Sequence, residues 1–214
     1  ATLSLENSAP LVCEWPIGTE STGFVKIDGL KDNGAAGDFL FRGRIDRVDQ
    51  LLTSDTGDKQ RLVIIRDMKT VNGPKIKQRG ARHRQAIFDE LQLALYAAAW
   101  EAAYPNDRVI GVGITEVGDS THYYVEIDPE YLDLVENLSI GEVTTYTAET
   151  FRSLNEEIIG QSNGFRAWIE ERVRTALRVI DGAGAGHVNP TVSDDCKYCK
   201  VRRLCPSVKL GGKL

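Results

Sequence analysis

The sequence predicts an α/β fold in which a central mixed sheet is flanked by helices, and three observations predict it. Short runs of β-branched or alternating apolar residues, broken by Gly, Asp and Asn turn signals, occupy the N-terminal stretch. A continuous apolar strand, Leu62-Val63-Ile64-Ile65, is then followed by a long segment of helical periodicity. Beyond Pro105, two more strand-like runs lead into further helical segments. The length, 214 residues, suits one domain with a sizeable core.

Taken in order, residues 11–17, 23–29 and 39–52 read as strands of a meander. Residues 53–60, with Asp55, Gly57 and Asp58, read as a polar hairpin tip leading into the buried strand 62–65. Ile87, Leu91, Leu95 and Ala98 recur every three to four residues, which predicts a helix over 84–104 closed by Pro105. Strands 109–117 and 122–127 flank the turn Gly118-Asp119-Ser120. Asp128 as N-cap and Pro129 as first helical residue open a helix to about Leu138, and 148–159 and 165–180 complete the helices. The tract Gly182-Ala183-Gly184-Ala185-Gly186 reads as a flexible link, so the chain is expected to comprise a core, 1–181, and an appendage, 182–214.

With 42% hydrophobic and 27% charged residues, the composition is that of a globular protein and excludes disordered and collagen-like classes. The apolar stretch 91–100 is far shorter than the ~20 residues of a spanning helix, and no leader pattern is visible, so no membrane role is expected. The net charge of −5 conceals an asymmetry: residues 164–214 carry ten Lys/Arg against five Asp/Glu. A second basic run, Lys75, Lys77, Arg79, Arg82 and Arg84, contains no acid. Such patches are either solvated faces or a rim that holds phosphates. Cys196, Cys199 and Cys205 fall within ten residues, which is metal-ligand spacing and points to a reducing, cytoplasmic setting.

One set of side chains has the makings of a hydrolytic site. Asp67 and Lys69 end the apolar strand two residues apart, so strand alternation puts both on one face. Asp46, in Gly43-Arg44-Ile45-Asp46-Arg47-Val48-Asp49, lies on the preceding strand, which the hairpin makes a neighbour. Two carboxylates and an ammonium at one sheet edge suit a hard divalent cation and charge stabilisation; the alternative is a surface ion pair. Gln92 and Tyr96 stand at i and i+4 on the sheet-facing side of the next helix, as site residues or as a core tyrosine with a neighbouring glutamine.

Gly-x-Ile-Asp-Arg-Val-Asp, then Asp-x-Lys-Thr after an apolar strand, then Gln-x-x-x-Tyr, then Cys-x2-Cys-x5-Cys resembles the RecB-like branch of the PD-(D/E)XK nucleases. The order holds from about Cys13 to Cys205, and within the branch it is most similar to the nuclease domains of AddB-type helicase-nucleases and to the CRISPR-adaptation nucleases that share their cysteine cluster. The resemblance implies a restriction-endonuclease-like fold and Mg²⁺- or Mn²⁺-dependent, exonucleolytic cleavage of DNA, single-stranded by preference, in recombination or repair beside a helicase subunit or domain. Asp46, Asp67 and the Met68 carbonyl would hold the metal, Lys69 would orient water or stabilise the transition state, and Gln92 and Tyr96 would brace the site or contact the strand. Lys75, Lys77, Arg79, Arg82 and Arg84 would engage phosphates.

Cys196, Cys199 and Cys205 would hold a [4Fe–4S] cluster whose fourth ligand is Cys13, His187 or a residue upstream; a Cys₃His zinc site is the alternative. The family also supplies a His or Glu from a helix before the first strands, and the chain begins at or after that point, so it is expected to be part of a longer polypeptide. Without that ligand, a silent DNA-binding or scaffold domain is the rival, and a zinc-ribbon-like interaction module a third reading. His83 and His122 match no family position and read as surface or loop histidines.

Overall fold

The computed structural model of the chain describes residues 8–19, 23–52, 60–71, 76–119, 121–131, 134, 144–146, 164–187, 196, 199 and 200. The chain divides into two compact units, Ala1–Leu177 and Arg178–Leu214. The first contains strands β1 (Ser8–Ile17), β2 (Val25–Leu30), β3 (Ala36–Phe41), β4 (Gly43–Leu51) and β5 (Arg61–Thr70), then helices α1 (Ile76–Asp89) and α2 (Gln92–Ala103). Strands β6 (Asp107–Val117), β7 (His122–Ile127) and β8 (Thr144–Tyr146) follow, with a 3₁₀ turn at Pro129–Tyr131. Helix α3 (Gly164–Gly184) begins in the first unit and ends in the second.

A six-stranded sheet in the order β1-β4-β5-β6-β7-β8 forms the centre. Pairing is antiparallel for β1–β4, β4–β5 and β6–β7, and parallel for β5–β6 and β7–β8, so the sheet is mixed. A parallel pair needs a crossover, and α1 with α2 provides it between β5 and β6. This is the mixed α/β architecture of the restriction-endonuclease-like fold. Among the described residues, no helix is long and apolar enough to cross a membrane.

The sheet divides two sets of apolar side chains. On one face Val48, Val63, Ile65, Val109, Val112 and Ile114 pack with Ile87 and Phe88 of α1, Leu93, Ala94, Ala97 and Trp100 of α2, and Phe165, Trp168 and Val173 of α3. On the other, Leu51, Leu62, Ile64, Ile110, Val125 and Ile127 form a smaller cluster. Because Val63 and Ile65 belong to the helix-covered face, alternation puts Asp67 and Lys69 on that face too. The helix layer is pinned by polar bonds as well: Trp168 Nε1 donates to the Phe88 carbonyl at 3.2 Å in the interior, and the part-buried Arg166 reaches both Glu101, at 2.9 Å, and Asp128, at 3.3 Å.

Several sequence-based expectations change. The N-terminal strands are no simple meander: β2 and β3 pair only with each other, Val25 opposite Phe41, while β1 pairs with β4. Residues 39–52 accordingly form two strands broken at Arg42. Gly18, at φ 76°, turns the chain out of β1, and Gly18 N–H bonds the Gly23 carbonyl at 2.8 Å to start the inserted hairpin. The helix expected over 84–104 is two helices, and the first begins at Ile76. Gly80 and His83 face the sheet in its first turns, and apolar periodicity registers neither.

Asp128 does cap, its Oδ1 accepting from the Glu130 N–H at 3.1 Å, but the described turn is 3₁₀ over Pro129–Tyr131. Residues 132, 133 and 135–138 of that segment, the helix expected over 148–159 and residues 53–59 of the hairpin tip expected over 53–60 lie outside the described residues. In the second unit, the glycine tract is not a loose link. Residues 182–184 continue α3, and a Schellman closure ends it, with His187 N–H on the Gly182 carbonyl at 2.7 Å and Gly186 N–H on the Ala183 carbonyl at 3.0 Å. Gly186 takes the φ of 78° which that motif requires.

Candidate active site

The antiparallel register Arg47↔Arg66 and Val48↔Ile65, carried one residue further, sets Asp46 beside Asp67. Asp46 Oδ2 accepts from the Met68 N–H at 2.9 Å, which fixes the carboxylate against the end of β5. The buried Asp67 is held from two sides, with Gln92 Nε2 donating to Oδ1 at 2.9 Å and Lys69 Nζ to Oδ2 at 2.8 Å. Gln92 is half-buried at the first turn of α2, and its amide also lies 3.4 Å from the Tyr96 hydroxyl. Tyr96 packs edge-on to Phe41 with ring centroids 6.1 Å apart, and a β-carbon on Gly43 would stand 3.3 Å from its ring. The five side chains Asp46, Asp67, Lys69, Gln92 and Tyr96 are thus brought together.

Burial works to lower the Lys69 pKa, but the bond to Asp67 and the charges of Asp67, Glu90 and Asp46 outweigh it and leave the ammonium above its ordinary value of 10.5. The lysine is therefore a fixed cation at neutral pH. The donor set is hard oxygen from two carboxylates; among the described residues no group of three or more His, Cys, Asp and Glu is arranged around a common metal position. Two carboxylates fit Mg²⁺, which dehydrates reluctantly and is commonly bound by one or two carboxylates with water and substrate phosphate completing its shell.

The other predicted residues fall as follows. Arg82 is exposed on α1 and the Arg84 guanidinium lies 5.7 Å from the centre of the Tyr124 ring. Lys77 and Arg79 lie within α1, and Lys75 is outside the described residues. In the second unit Cys196 is half-buried and Cys199 exposed, and the Cys199 N–H donates to the Cys196 carbonyl at 3.2 Å. Cys205, and with it the full ligand set, lies outside the described residues. Cys13 is exposed on β1.

The two histidines read as surface or loop residues are neither. His122 is on β7 and 6% exposed; His83 is 7% exposed, its Nε2 2.9 Å from Oε1 of the fully buried Glu116 on β6. Sequence reasoning misses Glu116; its one signal is a lone acid ending the apolar run Val109-Ile110-Gly111-Val112-Gly113-Ile114-Thr115. Behind the site, on the opposite face of β4 and β5, Asp49 accepts from Arg47 Nε at 2.8 Å and Arg66 Nε at 2.6 Å. Arg66 also bonds Thr115 at 3.2 Å and lies 5.4 Å from the Tyr123 ring centre.

Burial holds the His83 imidazole below its ordinary 6.5, with Glu116 opposing and Arg82 and Lys69 reinforcing. The unfolded chain then takes up a proton where the folded chain does not. Stability is full above about pH 6.5 and falls as the pH drops from there toward the lowered folded value. His83→Gln is expected to flatten this part of the pH dependence in urea unfolding; an unchanged profile would show that His83 is not its source.

A sequence profile of the PD-(D/E)XK nuclease superfamily matches residues 6–206. The chain belongs to that superfamily. A search of curated proteins finds no significant match.

Proposed function

We propose that the chain hydrolyses phosphodiester bonds in DNA, acting as a Mg²⁺- or Mn²⁺-dependent exonuclease on single strands in recombination or repair, as in the RecB-like, AddB-type branch. The observation that carries this reading is the convergence of Asp46 and Asp67 with Lys69 at the end of β5. Asp46, Asp67 and the Met68 carbonyl would hold the metal, which when bound supplies charge for the phosphate and lowers the pKa of attacking water. Lys69 holds its proton and offers N–H donors where negative charge grows on the phosphorane oxygens. Gln92 keeps Asp67 oriented through its amide, and Tyr96 with Gln92 borders the strand. Arg82 and Arg84, with Lys75, Lys77 and Arg79, would meet backbone phosphates.

The core 1–181 would carry this chemistry, and 182–214 an appendage. There Cys196, Cys199 and Cys205 would hold a [4Fe–4S] cluster, with zinc as the alternative metal. A helicase subunit or domain is the partner we propose, in the cytoplasm. That only two carboxylates converge among the described residues favours, as a second reading, a domain that binds DNA without cutting it.

Calorimetry with Mn²⁺ separates the two. The wild-type chain should bind the ion and cleave a labelled single strand only in its presence, and Asp46→Ala should lose both. A chain that neither binds Mn²⁺ nor cleaves is the non-cutting domain.

A further inference from the structure

The buried contact of His83 with Glu116, 2.9 Å apart, is not needed to fill space. A buried charged or polar pair is often no more stabilising than apolar residues of the same volume, and its best-attested use is to fix one arrangement among several. Here it fixes a helix against a particular strand. Glu116 is the register partner of Lys69 across the parallel β5–β6 pair, and the next strand places His122 opposite Glu116. His83 comes down from α1 to meet it.

Around that contact α1 is seated on Tyr124. A β-carbon on Gly80 would stand 2.9 Å from the Tyr124 ring, the His83 and Tyr124 rings are 5.8 Å apart, and the Arg84 guanidinium lies over the same ring. Arg82 and Arg84 immediately flank His83 in sequence. Successive helical residues are about 100° apart, so fixing the direction of His83 fixes both arginines. A slip of one residue would turn an arginine into the sheet and the imidazole out to water.

We propose that His83 and Glu116 are positioning residues, fastening α1 to the strand beside Lys69 so that the arginines of α1 are held ready for a nucleic-acid phosphate backbone next to the Asp67 site. This rests on the reading, under the proposed function, that these arginines bind phosphates. A helix already held in place loses less conformational freedom on binding, and that difference appears in affinity.

The test is fluorescence anisotropy with a labelled oligothymidylate in EDTA across a salt series, together with steady-state cleavage in Mg²⁺. For His83→Leu we expect Kd to rise about tenfold and the slope of log Kd against log salt to become shallower by about 0.7 for each phosphate that the chain no longer neutralises. In cleavage the loss should fall on KM rather than kcat, and His83→Gln, which restores an N–H toward Glu116, should recover most of the affinity. A purely structural role would lower the melting temperature and leave Kd and its salt slope alone, which overturns the proposal. If His83→Leu does not fold, Gly80→Ala lifts α1 from Tyr124 with every charge intact and is read by the same two outcomes. A wild-type chain that binds but does not cleave removes the nuclease reading and leaves the binding comparison standing; one that does not bind removes the positioning role as well.

Discussion

Asp67→Asn is expected to lower kcat by about 1000-fold or more, corresponding to at least ~4 kcal/mol of lost transition-state stabilisation. The substitution preserves size and leaves an oxygen for the Gln92 amide, so the fold should survive and far-UV circular dichroism should be unchanged. What it removes is the charge that both a divalent cation and Lys69 need. Asp67 sits between the donors of Gln92 at 2.9 Å and Lys69 at 2.8 Å, so without its charge the ammonium loses its partner and its orientation. Single-turnover cleavage at saturating Mn²⁺ is the measurement, and a rate within tenfold of wild type would remove Asp67 from the chemistry.

The largest loss of stability is expected on the other face of the same strands. Asp49 is fully buried and accepts from both Arg47 and Arg66, the latter also fully buried. Burial pushes the Arg66 guanidinium below its ordinary value, the Asp49 charge opposes that fall and the Arg47 charge adds to it. Asp49→Ala leaves two cations side by side without a counter-charge, at a cost of about 3–5 kcal/mol. Replacing the three together by Met, Leu and Met should cost less than Asp49→Ala alone, because no charge is then left unpaired. Urea unfolding of the two variants decides it, and equal midpoints would mean that the network contributes shape rather than charge.

These two faces differ in how readable they are. Asp67 and Lys69 are legible because they follow a recognisable apolar run at a fixed spacing, and Asp46 because it lies on the strand joined to it by a hairpin. Gln92 and Tyr96 are legible from helical spacing, though only the structure supplies the Gln92 partner, Asp67. Asp49, Arg66 and Glu116 do not stand out, since a charged residue inside an apolar strand carries no sign of the partner that neutralises it. The first turns of α1 are hidden for a related reason. Gly80, close against the Tyr124 ring, and His83, beside the buried Glu116, face the sheet there, and apolar periodicity registers neither. The separate β2–β3 hairpin escapes because alternation identifies strands but not their partners, and a turn at Gly18 decides the pairing.

The bonds that assemble the site are local in the chain. Asp46 meets Met68 across 22 residues, and Gln92 meets Asp67 across 25. Closing loops of that size costs little more entropy than closing much shorter ones, since the cost grows only with the logarithm of length. The hairpin of β4 and β5 with the start of α2 can therefore come together during synthesis before β6, β7 or α3 has left the ribosome. The C-terminal half of the chain could then vary widely while Asp46, Asp67 and Gln92 keep their arrangement.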